Sequence, residues 1–455
     1  MITSEEIKTA QRCISFASEM GASASRVYLN KCVTDSYTIL NGELDKVTHS
    51  ADRSIYLYLF VDGRYGTFST NRLDICELES FISKAIEMVR MLGEDVCRKL
   101  PDPSRTAKDA ITGLELGLYD PEYEKMDSET RLEHAFRLSI HDKIINEQEG
   151  WRLISEECEY SCTSDDSYTA DSQGFEGRHR ETTFGTFSEM TIEDKDGNKY
   201  SGYWWQTSPK ASETDFEECG RTALKKAVSQ IGPKKRRSGK YRMVVDTTVA
   251  SRLVSPIITA LNASSIQQKM SFLDGTSGMK VFHDGMTLMD LARTPGKNGS
   301  RLFDTEGVST KDSYIIKKGV VKEYFVNTYL SGKMGIPPTV EDVSRPCLMP
   351  FIKGKDLQSE EKAVSLEDIL KLAGNGILVS GFNGGNCNPV TGDFSFGIEG
   401  FAFSKGKIMH PVREMLITGN ILELWNNLMA AGTDARDSAR WQIPSLAFED
   451  VVFSA

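Results

Sequence analysis

Histidine is scarce in this chain of 455 residues: there are six, at 49, 134, 141, 179, 283 and 410. No H-E-x-x-H occurs, and no helical pair has metal-ligand spacing. His134 and His141 would share a helix face, but two turns hold them roughly 10 Å apart, too far for one ion. They lie off the stripe of Leu132, Phe136 and Ile140, so both are expected to face solvent. The nine cysteines are scattered without a C-x-x-C, and the closest pair is Cys158 and Cys162. That usage fits free thiols in a reducing, cytoplasmic setting and gives no zinc site from cysteine alone. G-x-S-x-G, the P-loop motif and G-x-G-x-x-G after a strand are all missing. Asp165-Asp166 is a bare acid pair, read as a turn rather than a metal site.

Other absences narrow the class. No apolar run approaches the ~20 residues needed to cross a bilayer, so no membrane role is expected. The opening "MITSEEIKTAQRC" is acidic and polar early, unlike a secretory signal. A net charge of -11 disfavours nucleic acid, whose phosphates it would repel. The exception is the basic run "PKKRRSGK" from Pro233. It reads as a solvated linker, with docking to an acidic partner as the alternative.

What is present is a mixture of helix and strand without regular βαβ alternation. This predicts an α+β fold with mixed and antiparallel sheets: N-terminal α+β units, then a larger β-rich C-terminal domain. The first unit, 1–95, opens with capping-box spacing at Thr3 and Glu6, then Ile7, Ala10, Ile14 and Ala17 at helical period. Asn41-Gly42 and Asp62-Gly63 signal hairpins. Asp74 opens a second helix with Leu78, Phe81, Ile82, Ala85, Val89 and Leu92 on one face. Residues 96–126, with Pro101 and Pro103, read as a linker. The middle unit, 127–232, begins with a helix expected from Asp127 to Glu147. Strands and a further helix follow. The third unit, 240–455, has strands expected at "RLFDTEGVST", "SYIIKKGVVKEYFVNTY", "GILVSGF" and "GKIMHPVREMLI". Ser365 and Asp368 open a helix between them.

The stretch "GFNGGNCNPVTGDFSFGIEGF" from Gly381 poses the functional question. It has no basic residue to pair with phosphate, although backbone N–H groups could form an anion nest. Glycines that supply positive φ at turns of a sheet are the simpler reading. Residue chemistry alone leaves both open and shows no catalytic centre.

The C-terminal third resembles the TldD/PmbA family, also called modulators of DNA gyrase. The carrying stretches are "FDTEGVSTKDSYIIKKGVVKEYF" and "NPVTGDFSFGIEGFAFSKGKIMHPVREMLITGNILELWNNLMAAGTD". The order of Asn388, Thr391-Gly392-Asp393, Gly397, Gly400, Gly406-Lys407, Pro411-Val412, Gly419-Asn420 and Gly432-Thr433-Asp434 is distinctive. A fainter likeness reaches the N-terminal units. The resemblance implies a two-subunit metalloprotease acting on unfolded or extended peptides, in peptide maturation and antitoxin turnover. In it, TldD carries a zinc-binding H-E-x-x-x-H helix and a later cysteine ligand, while PmbA, or TldE, lacks them. The gyrase name implies a genetic link rather than DNA contact.

Matching backward from "KMSFLDG" places the zinc helix on "LVSPIITAL". Val254 then replaces the first His, Ser255 the Glu and Thr259 the second His. Valine cannot coordinate zinc, neutral hydroxyls are poor ligands, and serine is no general base at pH 7. No cysteine follows Cys387. Pro256 should kink the helix, or restart it with Ser255 as N-cap. The chain therefore resembles the PmbA/TldE type, with no catalytic or metal residue and no cofactor of its own. Zinc is expected in a TldD-like partner, extended peptides are the expected substrate, and a homodimer is a further expectation. Asn383, Asn386, Thr391 and Asp393 are the candidate peptide cleft, with Asp393 equally suited to cap a turn. The alternatives are a stand-alone metallopeptidase with an unrecognised metal site, and a homodimeric scaffold or ligand-binding protein without proteolysis.

Overall fold

The computed structural model describes residues 1–144, 150–354 and 363–455. They form two compact units. The first holds Met1–Ala227, Arg293–Lys311 and Asn327–Glu341, and the second holds Val228–Ala292, Asp312–Val326 and Asp342–Ala455. The fold is α+β, as the mixed pattern predicts.

Local turn chemistry builds the first unit. Asn41 and Gly42 have φ of 50° and 81°, and Asp62 and Gly63 have 50° and 72°. Asparagine, aspartate and glycine tolerate these left-handed angles, whose twist suits a tight hairpin. They connect β1 (Ala24–Leu40), β2 (Glu43–Val61) and β3 (Arg64–Thr70). With β4 (Trp151–Asp171), β5 (Glu176–Asp194) and β6 (Lys199–Ser208) they make one antiparallel sheet. Its order is β3-β2-β1-β4-β5-β6. The N-terminal and middle regions thus share a sheet through the β1–β4 pairing. Helices Ser4–Glu19 and Ile75–Arg90 pack Ala10, Cys13, Ile82 and Val89 on Ile55 and Leu57. The Thr3–Glu6 capping box is formed, a device worth about 1 kcal/mol. Leu92 falls beyond its helix and is exposed.

Several expectations are corrected. The helix beginning after Asp127 stops at Leu138, and the expected end at Glu147 lies outside the described residues. The helix buries Ala135 and Leu138 rather than Phe136, which is exposed. That rotation puts His134 against Tyr160 and Phe216, with ring centroids 5.0 and 4.8 Å away. His134 is an aromatic packing partner, not a solvent-facing side chain, and burial lowers its pKa. Asp165-Asp166 lies within β4, not in a turn. Alternation sends Asp166 inward to Arg178 and leaves Asp165 on Asn30. "RLFDTEGVST" is not a strand but turns with isolated bridges, Phe303 to Ser309 and Thr106 to Val308. The Asp304 carboxylate accepts the N–H groups of Glu306 and Val308, and Gly307 sits at φ 86°. Those local bonds compete with a ladder. In 96–126, Ala107, Ala110, Leu116 and Leu118 pack on Phe175 and Leu302.

The second unit is built on strand closure. Gly239–Val245 pairs in parallel with Gly376–Phe382. That strand pairs with Asp393–Ser404, which pairs with Lys407–Asn420, which pairs with Leu446–Ser454. Leu446–Ser454 then pairs back onto Gly239–Val245. The ring is closed, so these strands expose no free edge to one another. Helix Leu366–Ala373, opened by the Ser365–Asp368 capping box, covers Val244, Leu378 and Phe403. Among the described residues no helix is long and apolar enough to cross a membrane.

Candidate functional site

Helix Ser251–Leu261 follows the strand Gly239–Val245 and sorts its residues by the 3.6 period. Leu253, Val254, Ile257, Ile258 and Leu261 are buried. The buried Trp425 indole donates to the Leu253 carbonyl at 3.2 Å and fixes this inner face. Arg252, Ser255, Pro256 and Thr259 are left on the outer face at i, i+3, i+4 and i+7. The helix is continuous through Pro256 and is preceded by Ala250 as N-cap, so the expected restart at Ser255 does not occur. Proline has no N–H, so the Arg252 carbonyl one turn earlier lacks its helical donor.

The outer face lines a cleft of about 250 Å³. Phe272, Gly385, Asn386, Cys387, Pro389 and Phe396 form the rest of its wall. The glycine-rich stretch both packs tightly in the sheet and supplies part of the cleft wall. Its glycines permit close backbone approach: a Cβ on Gly385 would lie 2.0 Å from the Ser395 carbonyl oxygen, and one on Gly400 1.9 Å from that of Leu378. Its Asn386–Cys387 segment pairs with Phe394–Ser395 and forms part of the cleft wall.

The residues expected in the cleft separate. Asn386 lines it. Asn383 instead bonds through its backbone N–H to the Gly397 carbonyl at 2.9 Å and through its amide to Glu399 at 3.3 Å. The Thr391 hydroxyl donates to Asp393 at 2.7 Å, and the Asn420 amide donates to Asp393 at 2.9 Å and to the Thr391 carbonyl at 2.8 Å. These bonds from Asn420 and Thr391 hold the Asp393 carboxyl below its ordinary pKa. Asn420 also caps helix Ile421–Asn426. Thr391 and Asp393 thus lock a turn. Of the positions matched to the zinc motif, Val254 points into the core, while Ser255 and Thr259 face the cleft. The Thr259 hydroxyl donates to the Ser255 carbonyl at 3.0 Å.

Sequence reasoning missed Arg252, Phe272 and Phe396. The guanidinium of Arg252 lies 5.1 Å from the Phe396 ring centroid and donates to the Gly385 carbonyl at 3.0 Å. The signal was available in the spacing of Arg252, Ser255 and Thr259 on one helix face.

The donor set does not fit zinc. The one soft ligand is the Cys387 thiol, whose pKa is raised by burial and then by the charge of Asp393. Hydroxyls, a carboxamide and a guanidinium complete the polar lining, and a fixed cation opposes a second one. Among the described residues no three His, Cys, Asp or Glu side chains converge to hold a metal ion.

Comparison with known proteins agrees with the architecture. Family models match three successive regions, described as PmbA/TldA metallopeptidase domain 1 over 26–89, the central domain over 121–231 and the C-terminal domain over 238–455. The protein named metalloprotease PmbA from Escherichia coli O157:H7 is 24% identical, over 98% of this chain and 96% of its own. A metalloprotease PmbA homolog from Buchnera aphidicola is 23% identical over the same shares, 98% and 96%. A crystal structure from Bacteroides thetaiotaomicron, bearing the name modulator of DNA gyrase, is 38% identical with TM-score 0.92 and covers 100% of both chains. TldE from Thermococcus kodakarensis shares the fold at TM-score 0.78 and 17% identity, over 98% of this chain and 100% of its own. With models of the family matching along its length, this chain belongs to the PmbA/TldD family.

Proposed function

We propose that this chain is a non-catalytic, PmbA/TldE-like subunit of a two-subunit metalloprotease. It would work in the cytoplasm with a TldD-like partner on unfolded or extended peptides. One observation carries the reading: the helix matched to the zinc helix presents Arg252, Ser255, Pro256 and Thr259 to its cleft. None of these binds zinc well, and none is a base at neutral pH. Bond cleavage, and the zinc that supports it, then belong to the partner. This chain's residues bind and orient the peptide. Likeness to relatives named PmbA and TldE supports the choice of subunit type.

The test is reconstitution. An unfolded peptide is incubated with this chain, with a TldD-like protease purified beside it, and with both. Cleavage that requires both chains is expected. Cleavage by this chain alone overturns the reading in favour of a stand-alone peptidase. Equal cleavage by the protease with and without this chain would leave it a scaffold outside proteolysis.

A further inference from the structure

The cleft beside helix Ser251–Leu261 has a chemical bias of its own. Among the described residues its lining contains no carboxylate; Asp393, whose charge reaches Cys387, lies outside the lining and is engaged by Thr391 and Asn420. Arg252 donates to the Gly385 carbonyl and pairs with no acid among the described residues. The Ser255 hydroxyl and the Asn386 amide also face the cleft. The remaining surface is apolar: Phe272, Phe396, Pro256 and Pro389. A volume of about 250 Å³ is below the range of about 300–1,000 Å³ that suits drug-sized ligands. It suits a single peptide residue.

We infer that this cleft binds the C-terminal residue of a peptide, its α-carboxylate paired with Arg252 and its apolar side chain against Phe272 and Phe396. This rests on the reading that the chain handles peptides. Guanidinium matches carboxylate with two parallel N–H donors, a geometry lysine lacks. Ser255 and Asn386 supply neutral donors nearby. A phosphate dianion would meet one cation and a largely apolar wall, a poorer match than a monoanion joined to an apolar side chain.

The test uses the full chain and calorimetric titration with acetyl-Ala-Ala-Leu as the free acid, the same peptide as its C-terminal amide, and inorganic phosphate. The acid should bind, and the amide should bind roughly ten- to a hundredfold more weakly, the scale of a charged hydrogen-bonded pair. Arg252→Gln should weaken the acid by the same factor and leave the amide unchanged. Phe272→Ala should weaken both peptides. Should Arg252→Gln fail to fold, Ser255→Asp supplies an internal carboxylate beside the guanidinium and should weaken the acid selectively. Equal binding of acid and amide, no binding of either at millimolar concentration, or phosphate binding tighter than the acid overturns the assignment. Those outcomes leave the subunit reading standing. Binding of the acid by a chain that also cleaves peptides unaided sinks the subunit reading and leaves this one.

Discussion

Charge is handled differently in the core of the first unit and at the cleft of the second. In the first, three inward-facing acids are matched closely. Asp166, 1% exposed, accepts from two Arg178 nitrogens at 2.9 and 2.6 Å and from the Ile2 N–H at 2.8 Å. Asp35 takes Arg131 and His49, each at 2.7 Å. The buried Glu156 takes the Ile140 N–H at 2.7 Å and the Ser139 hydroxyl. In the second unit, Arg252 stands at the cleft with an aromatic ring and one carbonyl. Desolvated ions are tolerated only when paired and hydrogen-bonded. An exposed cation over a ring costs little, and the donors not engaged by Gly385 stay open to a ligand. Matched charge holds structure; unmatched charge at a cavity is capacity for binding.

Substitutions can break that contrast. The largest effect belongs to Asp166→Ala, which leaves Arg178 and the Ile2 N–H without their buried acceptor. It should cost about 3–5 kcal/mol, read from denaturant unfolding. A loss under about 1 kcal/mol would show that the pair is not structural.

A smaller effect sharpens the comparison from the unmatched side of the first unit. Burial, and then the charge of Glu157, push the Glu159 carboxyl above its ordinary pKa. The folded state therefore favours its protonated form. That contribution is complete below the unfolded pKa and is lost as pH rises through the folded one. Glu159→Gln should raise Tm at pH 7 and give no gain at pH 4. The gain should be roughly 1 °C, since the site is partly solvated and like-charge neighbours cost a few tenths of a kcal/mol. An equal gain at both pH values would contradict the electrostatic cause.

The smallest expected effect is on the cleft. Arg252→Gln should leave stability unchanged within the scatter of about 0.5 kcal/mol seen for exposed residues outside the core. A loss like that of Asp166→Ala would make Arg252 a structural group and erase the distinction.

What was legible follows from range. The capping boxes at Thr3–Glu6 and Ser365–Asp368, and the turns at Asn41-Gly42 and Asp62-Gly63, are set by neighbours a few residues apart. All four are formed. The closure of Leu446–Ser454 on Gly239–Val245 joins strands far apart in sequence, and no local pattern encodes it. His134 was misplaced because a one-residue rotation of a short helix exchanged it with Phe136. In the site, the poor fit of Val254, Ser255 and Thr259 to zinc could be argued from side-chain identities. Cleft membership could not, because Thr391 and Asp393 are drawn into a turn by Asn420, which is distant in the chain. Arg252 falls outside the positions of the zinc motif and joins Ser255 and Thr259 only through the outer face of the helix.

The central claim is that the cleft helix carries binding groups in place of metal ligands. Zinc content per polypeptide tests it most directly, by mass spectrometry on full-length chain purified without chelator and equilibrated with zinc, then desalted. Far less than one zinc per chain is expected, and Arg252→Gln should not change it. One tightly held zinc per chain, lost when Ser255, Thr259 or Cys387 is replaced by alanine, would contradict the account.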